Sequence, residues 1–168
     1  GCPHPGIECF IVQISKLLMH YGCSSSNGNK MSISLRQLVI ELGMSDQPFQ
    51  HEFERYKKHV AFCWMVSIWE KCDIYGVKVV FNDSPLKPPR DRDKWIMQEF
   101  IRLGYTGVEL LRLNRVRRYQ QVLFLSDICG ASGSGLDERY LKKRPRWENW
   151  SKLKFPVEKP TSSDFTLW

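Results

Sequence analysis

The stretch PFQHEFERYKKHVAFCWMVSIWEKCDIY, residues 48–75, decides the predicted fold, because it is the longest run of apolar side chains at helical spacing. Pro48 suits the first turn of a helix, and Gly76 favours an end directly after the stretch. Its apolar residues cover two adjoining sides of such a helix (Phe49, Phe53, Tyr56, Val60, Phe62, Trp64, Met65, Val66 and Trp69). We therefore expect one long, largely buried central helix and a mainly α fold class.

Helical spacing also continues on both sides of this stretch. Further helices are expected over residues 7–21, 32–42, 94–103 and 106–126, with Gly22, Gly43 and Gly104 as stop signals and Thr106 with Glu109 as a capping box. VKVVF, residues 77–81, is the best strand candidate, so the fold has at most a minor strand. A proline-broken, basic C-terminal extension follows.

The prolines of SPLKPPRDR, residues 84–92, predict an internal hinge in this chain of 168 residues. We expect three parts. Residues 1–84 form a neutral helical half, residues 85–135 a basic helical segment packed on it, and residues 136–168 a basic Trp- and Pro-rich extension. The chain begins with Gly and stops where a helix starts after Ser163, so we interpret it as a piece of a longer polypeptide.

Net charge is confined to the second half of the chain. Residues 1–84 carry 8 Lys/Arg and 8 Asp/Glu, whereas residues 85–168 carry 17 and 10, which accounts for the whole net charge of +7. Such an asymmetry, with Arg, Asn, Gln and Trp interleaved, is typical of a folded body with one face for polyanions. Nucleic acid is the expected partner.

The segment RLNRVRRYQQ, residues 112–121, is the first candidate interface. At helical spacing its polar residues form one stripe, and apolar residues such as Leu113 and Val116 form another. The predicted nucleic-acid contacts are Arg112, Arg115, Arg117 and Arg118 to phosphates, with Asn114 and Gln121 as hydrogen-bonding groups. The alternative is an ordinary solvated helix face.

A second basic cluster extends this track, with Lys142, Lys143, Arg144 and Arg146 for the backbone and Trp147 and Trp150 for base stacking. Alternatively, the basic loop is merely solvated and the tryptophans pack on the domain. A nuclear-localisation signal at residues 142–146 is a further, weaker interpretation.

No catalytic pattern accompanies these clusters. The chain has no Gly-x-Ser-x-Gly, no His-Glu-x-x-His and no Gly-Lys-Ser/Thr after its GASGSG loop at residues 130–135. We predict no enzyme activity, no metal and no cofactor. The apolar run 10–18 is too short for a membrane span, and the six scattered cysteines favour a reducing intracellular compartment, cytoplasmic or nuclear.

Several stretches resemble segments of retroelement-type polyproteins: LNRVRRYQQVLFLSDICGASG at 113–133, the Trp-rich region that follows it, SISLRQLVIELGMSDQPFQ at 32–50 and WIMQEFIRLGY at 95–105. The resemblance covers residues 31–168 and implies a connector beside reverse-transcriptase or RNase H-like regions. Asn114, Arg115, Gln121 and Asp127 are the matching polar positions. The polymerase sequence Tyr-x-Asp-Asp is missing, so no catalytic residue is carried over.

We therefore predict a non-catalytic connector module of a retroelement polyprotein that contacts RNA or an RNA–DNA hybrid through an Arg-rich helix. The alternative is an intramolecular scaffold or protein-interaction segment, in which the arginines pair with carboxylates of the parent polyprotein and adjacent domains are the partners. A third option, a decayed copy, leaves no mark in the sequence.

Overall fold

A computed structural model describes residues 4–83, 86–130, 132–138 and 158–168. The chain is mainly helical, as predicted. The α-helices within the described ranges are α1 (Pro5–His20), α2 (Ser26–Leu42), α3 (Phe53–Tyr56), α4 (Trp64–Tyr75), α5 (Ile96–Arg102), α6 (Gly107–Gln120), α7 (Leu125–Ile128) and α8 (Ser162–Leu167), with 3₁₀ turns at Pro48–Gln50 and Lys57–His59. These same ranges contain no sheet, only two isolated β-bridges.

Two compact units divide the chain. The first comprises the described residues of 1–39 and 46–86, and the second those of 40–45 and 87–168. The change after Leu86 falls inside the predicted hinge segment 84–92. Residues 40–45, which the sequence assigns to the neutral half, group with the second unit instead.

The prediction of one helix over residues 48–75 is wrong, because the backbone becomes extended at His51–Glu52 and again at Val60–Cys63. Tertiary hydrogen bonds occupy the first break: the Trp69 indole N–H donates to the His51 carbonyl at 2.9 Å, and the Phe53 N–H donates to Asp73 Oδ2 at 3.2 Å. A straight helix of this length would extend about 42 Å. The breaks instead fold the stretch back on itself and bring the Phe53 ring edge-on to Trp69 at 5.1 Å between centroids.

Residues 77–81 are not a strand, because glutamine side chains take the hydrogen bonds that a neighbouring strand would supply. The Gln47 amide donates to the Phe81 carbonyl at 2.8 Å and accepts from the Phe81 N–H at 2.9 Å. The Gln50 amide donates to the Val79 carbonyl at 2.9 Å. Val79 and Phe81 are buried in the first unit, so their backbone polar groups need hydrogen-bond partners. The two glutamine side chains supply such partners without a sheet.

In the second unit, the predicted helix over residues 106–126 ends six residues early. Gln121 adopts a left-handed conformation with φ of 58°, and its N–H closes α6 on the Arg118 carbonyl. The chain then forms an antiparallel bridge between Trp95 and Phe124, and Asp127 Oδ2 accepts from the Phe124 N–H at 2.9 Å to begin α7. Thr106 precedes α6 as predicted, but its side chain makes no capping hydrogen bond.

Other predicted helices are confirmed, with ends that differ by up to six residues. α1, α2 and α5 match the expected helices over residues 7–21, 32–42 and 94–103, and α2 begins six residues earlier than predicted, at Ser26. A helix does start near Ser163, where the Thr161 side chain accepts from the Asp164 N–H at 3.2 Å. Gly43 and Gly76 both have positive φ after their helices, as stop signals of this type require.

Replacing Gln47 by Ala removes both hydrogen bonds to the Phe81 backbone. We expect the Gln47→Ala variant to lose about 1–3 kcal/mol of unfolding free energy, because a half-buried donor and acceptor are left without partners. Gln98, which is exposed on α5, supplies the matched control, and Gln98→Ala is expected to cost less than about 0.5 kcal/mol. Chemical denaturation measures both; equal values would contradict the proposed role of Gln47.

Candidate nucleic-acid interface

Arg117 is the most enclosed arginine of the predicted interface, and its residue is only 1% exposed. Its Nη2 donates to the carbonyls of Ile40 at 2.6 Å and Glu41 at 3.0 Å, which belong to the last turn of α2. Nη1 donates to the Val122 carbonyl at 3.1 Å, and Nε to Asn114 Oδ1 at 2.8 Å. The guanidinium therefore caps the carboxyl end of α2, where helix carbonyls lack partners within the helix.

Asn114 completes the same network. It is fully buried, and its Nδ2 donates to the Glu41 carbonyl at 3.0 Å while its Oδ1 accepts from Arg117. Both polar groups of the amide are thus used within the second unit. A base or phosphate cannot reach Asn114 or Arg117 in this fold.

The close approach of the Arg117 guanidinium to the end of α2 depends on Gly43, the residue directly after this helix. A Cβ atom at this position would lie 2.5 Å from Arg117 Cζ, and the φ of Gly43 is +62°. A side chain here would be strained by the backbone conformation and would displace the Arg117 guanidinium. The glycine predicted as a helix stop therefore also forms one wall of the arginine site.

Burial and, to a smaller extent, the charge of Arg118 lower the pKa of Arg117, Glu41 opposes them, and the net value is about 9. A pKa of about 9 still leaves the guanidinium protonated at neutral pH. The positive charge accordingly faces the negative end of the α2 dipole, an arrangement that stabilises the helix terminus.

Arg112 and Arg115 lie on another side of α6 and pair with one buried carboxylate. Arg112 Nε contacts Asp164 Oδ1 at 2.7 Å, and Arg115 Nη1 contacts Asp164 Oδ2 at 3.2 Å. Arg112 also donates to Ser163 Oγ at 2.9 Å, and Arg115 pairs with Glu158 at 2.8 Å. These contacts attach α8 to α6.

Asp164 combines this docking role with the capping of its own helix, since its Oδ2 accepts from the Thr161 N–H at 2.8 Å. Burial raises the pKa of its carboxyl group, but hydrogen bonds from Arg112, Thr161 and Arg115 outweigh burial and hold the pKa well below its usual value of 3.8. The carboxylate therefore stays ionised in the folded chain far into the acidic range.

The remaining members of the helical stripe differ in exposure. Arg118 is half-buried, and burial lowers its pKa while Glu41 opposes that shift. Gln121 is exposed, but it is the left-handed residue that ends α6. The predicted polar stripe contains Asn114, Arg117, Arg118 and Gln121, which are spaced i, i+3, i+4 and i+7 in the sequence. It is not an exposed face, because Asn114 and Arg117 are buried in the core of the second unit. Lys142, Lys143, Arg144, Arg146, Trp147 and Trp150 lie outside the described residues.

Sequence reasoning missed Gly43, Glu41 and Asp164 as partners of the arginines, since they lie far from α6 along the chain. One local signal was present. Asn114 is four positions and Arg117 seven positions after the buried Leu110, which puts all three on one helix face. Asn114 and Arg117 therefore lie on the buried face of α6 and not on the opposite, solvent-exposed face.

No metal cluster supplements the arginines: among the described residues, no three His, Cys, Asp or Glu side chains are arranged to hold an ion. The described helices include none that is long and apolar enough to cross a membrane.

No family model matches the chain, and neither a curated protein nor a solved structure is significantly similar to it. The geometry of the site is therefore the basis for assigning a role.

The Gly43→Ala substitution tests the packing of the arginine network. We expect a loss of about 3 kcal/mol in unfolding free energy, from left-handed strain and from displacement of the Arg117 guanidinium. Gly76 is a matched control, because its φ is +66° and a Cβ there would meet nothing within 4 Å. Gly76→Ala should cost only about 1 kcal/mol. Equal losses in denaturant titrations would contradict the role of Gly43 beside Arg117.

The depressed pKa of Asp164 predicts a pH-dependent contribution to stability. Because the folded-state pKa lies below the unfolded one, the contribution is present above about pH 4 and is lost as the pH falls below that value. We expect Asp164→Asn to cost about 2–4 kcal/mol at neutral pH and clearly less near pH 2.5.

Urea titrations of both proteins at the two pH values measure this difference. Asp91, whose side chain is 99% exposed, provides the control, and Asp91→Asn should change the free energy by less than about 0.5 kcal/mol at neutral pH. A penalty for Asp164→Asn that does not change with pH would contradict the assignment.

Proposed function

We propose that this chain is a non-catalytic helical scaffold segment of a larger polyprotein, with α6 as its structural centre. In this role the arginines of α6 hold together parts of the second unit that are distant in sequence. Arg117 binds residues near position 40, and Arg112 and Arg115 bind α8.

One observation carries the proposal: the partners of these arginines belong to this chain. The three guanidinium groups contact helix-end carbonyls and a carboxylate that is 2% exposed. Buried charges require such partners, because an unpaired buried charge costs several kcal/mol. Guanidinium groups engaged in this way already have acceptors within the chain, which favours a structural role over the capture of an external polyanion.

The partners we propose for the scaffold are adjoining domains of a retroelement-type polyprotein, following the resemblance of residues 31–168. The five described cysteines, at positions 9, 23, 63, 72 and 129, are free thiols. This supports our proposal of a reducing intracellular setting.

Nucleic-acid binding through the basic half is the second candidate, and the charge distribution favours it. All of the net charge of +7 lies in residues 85–168. On this alternative, RNA or an RNA–DNA hybrid would contact the exposed edges of Arg112 and Arg115, whose side chains are 30% and 20% exposed. The predicted basic track at residues 142–146, which lies outside the described part of the chain, would extend this contact.

A double substitution separates the two candidates. If α6 is a scaffold, Arg112→Ala with Arg115→Ala should lower the unfolding free energy by about 2–4 kcal/mol, because Asp164 loses both cations. The affinity of the folded protein for fluorescently labelled single-stranded RNA should then fall no more than in a control that removes equal charge. Denaturant titration and fluorescence anisotropy give the two measurements.

The control is Arg90→Ala with Arg102→Ala, since Arg90 is exposed and the Arg102 side chain is 64% exposed. This control should lose less than about 1 kcal/mol. The scaffold proposal fails if R112A/R115A keeps its full stability. Nucleic-acid binding is favoured if R112A/R115A selectively weakens RNA binding and reduces the salt slope by about 1.4, the value for two contacts to a single strand.

A further inference from the structure

An open cleft of about 400 Å³ lies within the first unit, between α1, α2 and the start of α4. The polar and aromatic residues that line it are Lys16, His20, Asn27, Lys30, Ser34 and Trp64. Small-molecule sites have volumes from about 300 Å³ upward. The cleft therefore has the size and the mixed lining of a ligand site, in the half of the chain that sequence charge marks as neutral.

Helical spacing explains why these side chains meet. Lys16 and His20 are one turn apart on α1, and Asn27, Lys30 and Ser34 share one face of α2. The short connection between the two helices keeps the faces adjacent, and Trp64 is the first residue of α4. Three separate elements of the same unit thus contribute to one concave surface.

The cleft concentrates positive charge. Its lining contains two lysines but no Asp or Glu. Among the described residues, no salt bridge joins Lys16 or Lys30 to a carboxylate. Cations that line a concave surface raise its potential and attract anions, and lysine ammonium groups bind phosphate readily. The zero net charge of residues 1–84 hides this local arrangement.

Trp64 adds an aromatic surface beside the cations. The residue is 38% exposed, unlike Trp69, which is fully buried in the same helix. An exposed indole next to lysines is the combination that stacks a base while holding its phosphate. The Asn27 amide and the Ser34 hydroxyl supply donors and acceptors suited to a ribose or a base edge.

We propose that this cleft binds a nucleoside phosphate, either as a free nucleotide or as part of a single strand. The base lies against Trp64, and the phosphate lies between Lys16 and Lys30. The proposal is independent of the scaffold role, which concerns the second unit, and it adds a ligand site to the first unit.

The test uses the full chain with two probes at low salt: AMP by isothermal titration calorimetry and a labelled eight-nucleotide single-stranded RNA by anisotropy. Lys16→Ala with Lys30→Ala should weaken binding at least tenfold. Trp64→Leu should weaken it at least fivefold, the lower range for loss of one stacked base. Binding of AMP identifies a free-nucleotide site, whereas binding of the RNA alone identifies a single-strand site; either result supports the proposal.

Two matched controls separate the cleft from general charge and from general aromatic exposure. Lys58→Ala with Lys78→Ala removes two exposed lysines of the same unit that lie outside the cleft. Phe62→Leu removes an 80% exposed ring that is two positions before Trp64 and does not line the cleft. Each control should change the affinity less than twofold. Far-UV circular dichroism verifies that every variant is folded.

Three results would overturn the proposal. The first is no binding of either probe to the wild-type chain at low salt. The second is an equal loss of affinity in K16A/K30A and K58A/K78A, or full affinity in W64L. The third is competition by inorganic phosphate as effective as that by AMP, since the base would then contribute nothing.

Discussion

A guanidinium group without access to water sets the strictest requirement on the second unit. Arg117 carries five N–H donors that must be satisfied inside the protein, because an unpaired buried cation costs several kcal/mol. The acceptors come from the end of α2, from Asn114 and from the turn after α6. The end of α2, the glycine at position 43 and the turn after α6 all surround this one group.

The helical character of the chain was predictable because it rests on local signals. Apolar spacing, capping residues and glycines at helix ends act over a few positions, and they correctly indicated α1, α2 and α5. The long helix over residues 48–75 failed for the opposite reason. Its first break is stabilised by side chains 18 and 20 positions away, Trp69 and Asp73, whose hydrogen bonds outweigh local helix preference. The strand at residues 77–81 failed because Gln47 replaces a neighbouring strand.

The candidate site was predictable only as a list of unusual residues. A count of charges from the sequence treats every arginine as exposed to solvent. The α2 carbonyls that bind Arg117 lie 76 and 77 positions earlier in the chain, and Asp164 lies 52 positions after Arg112. Spacing relative to Leu110 would have placed Asn114 and Arg117 on the buried face. Net charge was also uninformative for the first half, since a balanced count of 8 and 8 does not reveal a cleft lined by Lys16 and Lys30 without Asp or Glu.

The distance between Arg117 and α2 along the chain also has a consequence for biosynthesis. Residues 40 and 41 leave the ribosome well before Arg117, and at about 5–20 residues per second the 77 intervening positions take roughly 4–15 seconds to translate. During that interval the carbonyls of Ile40 and Glu41 lack the Arg117 and Asn114 donors that bind them in the folded chain. The segments of the first unit are all synthesised by residue 86, so that unit can form while residues 40–45 still await α6. Folding of the nascent chain is therefore expected in two stages, with the end of α2 joining the later one.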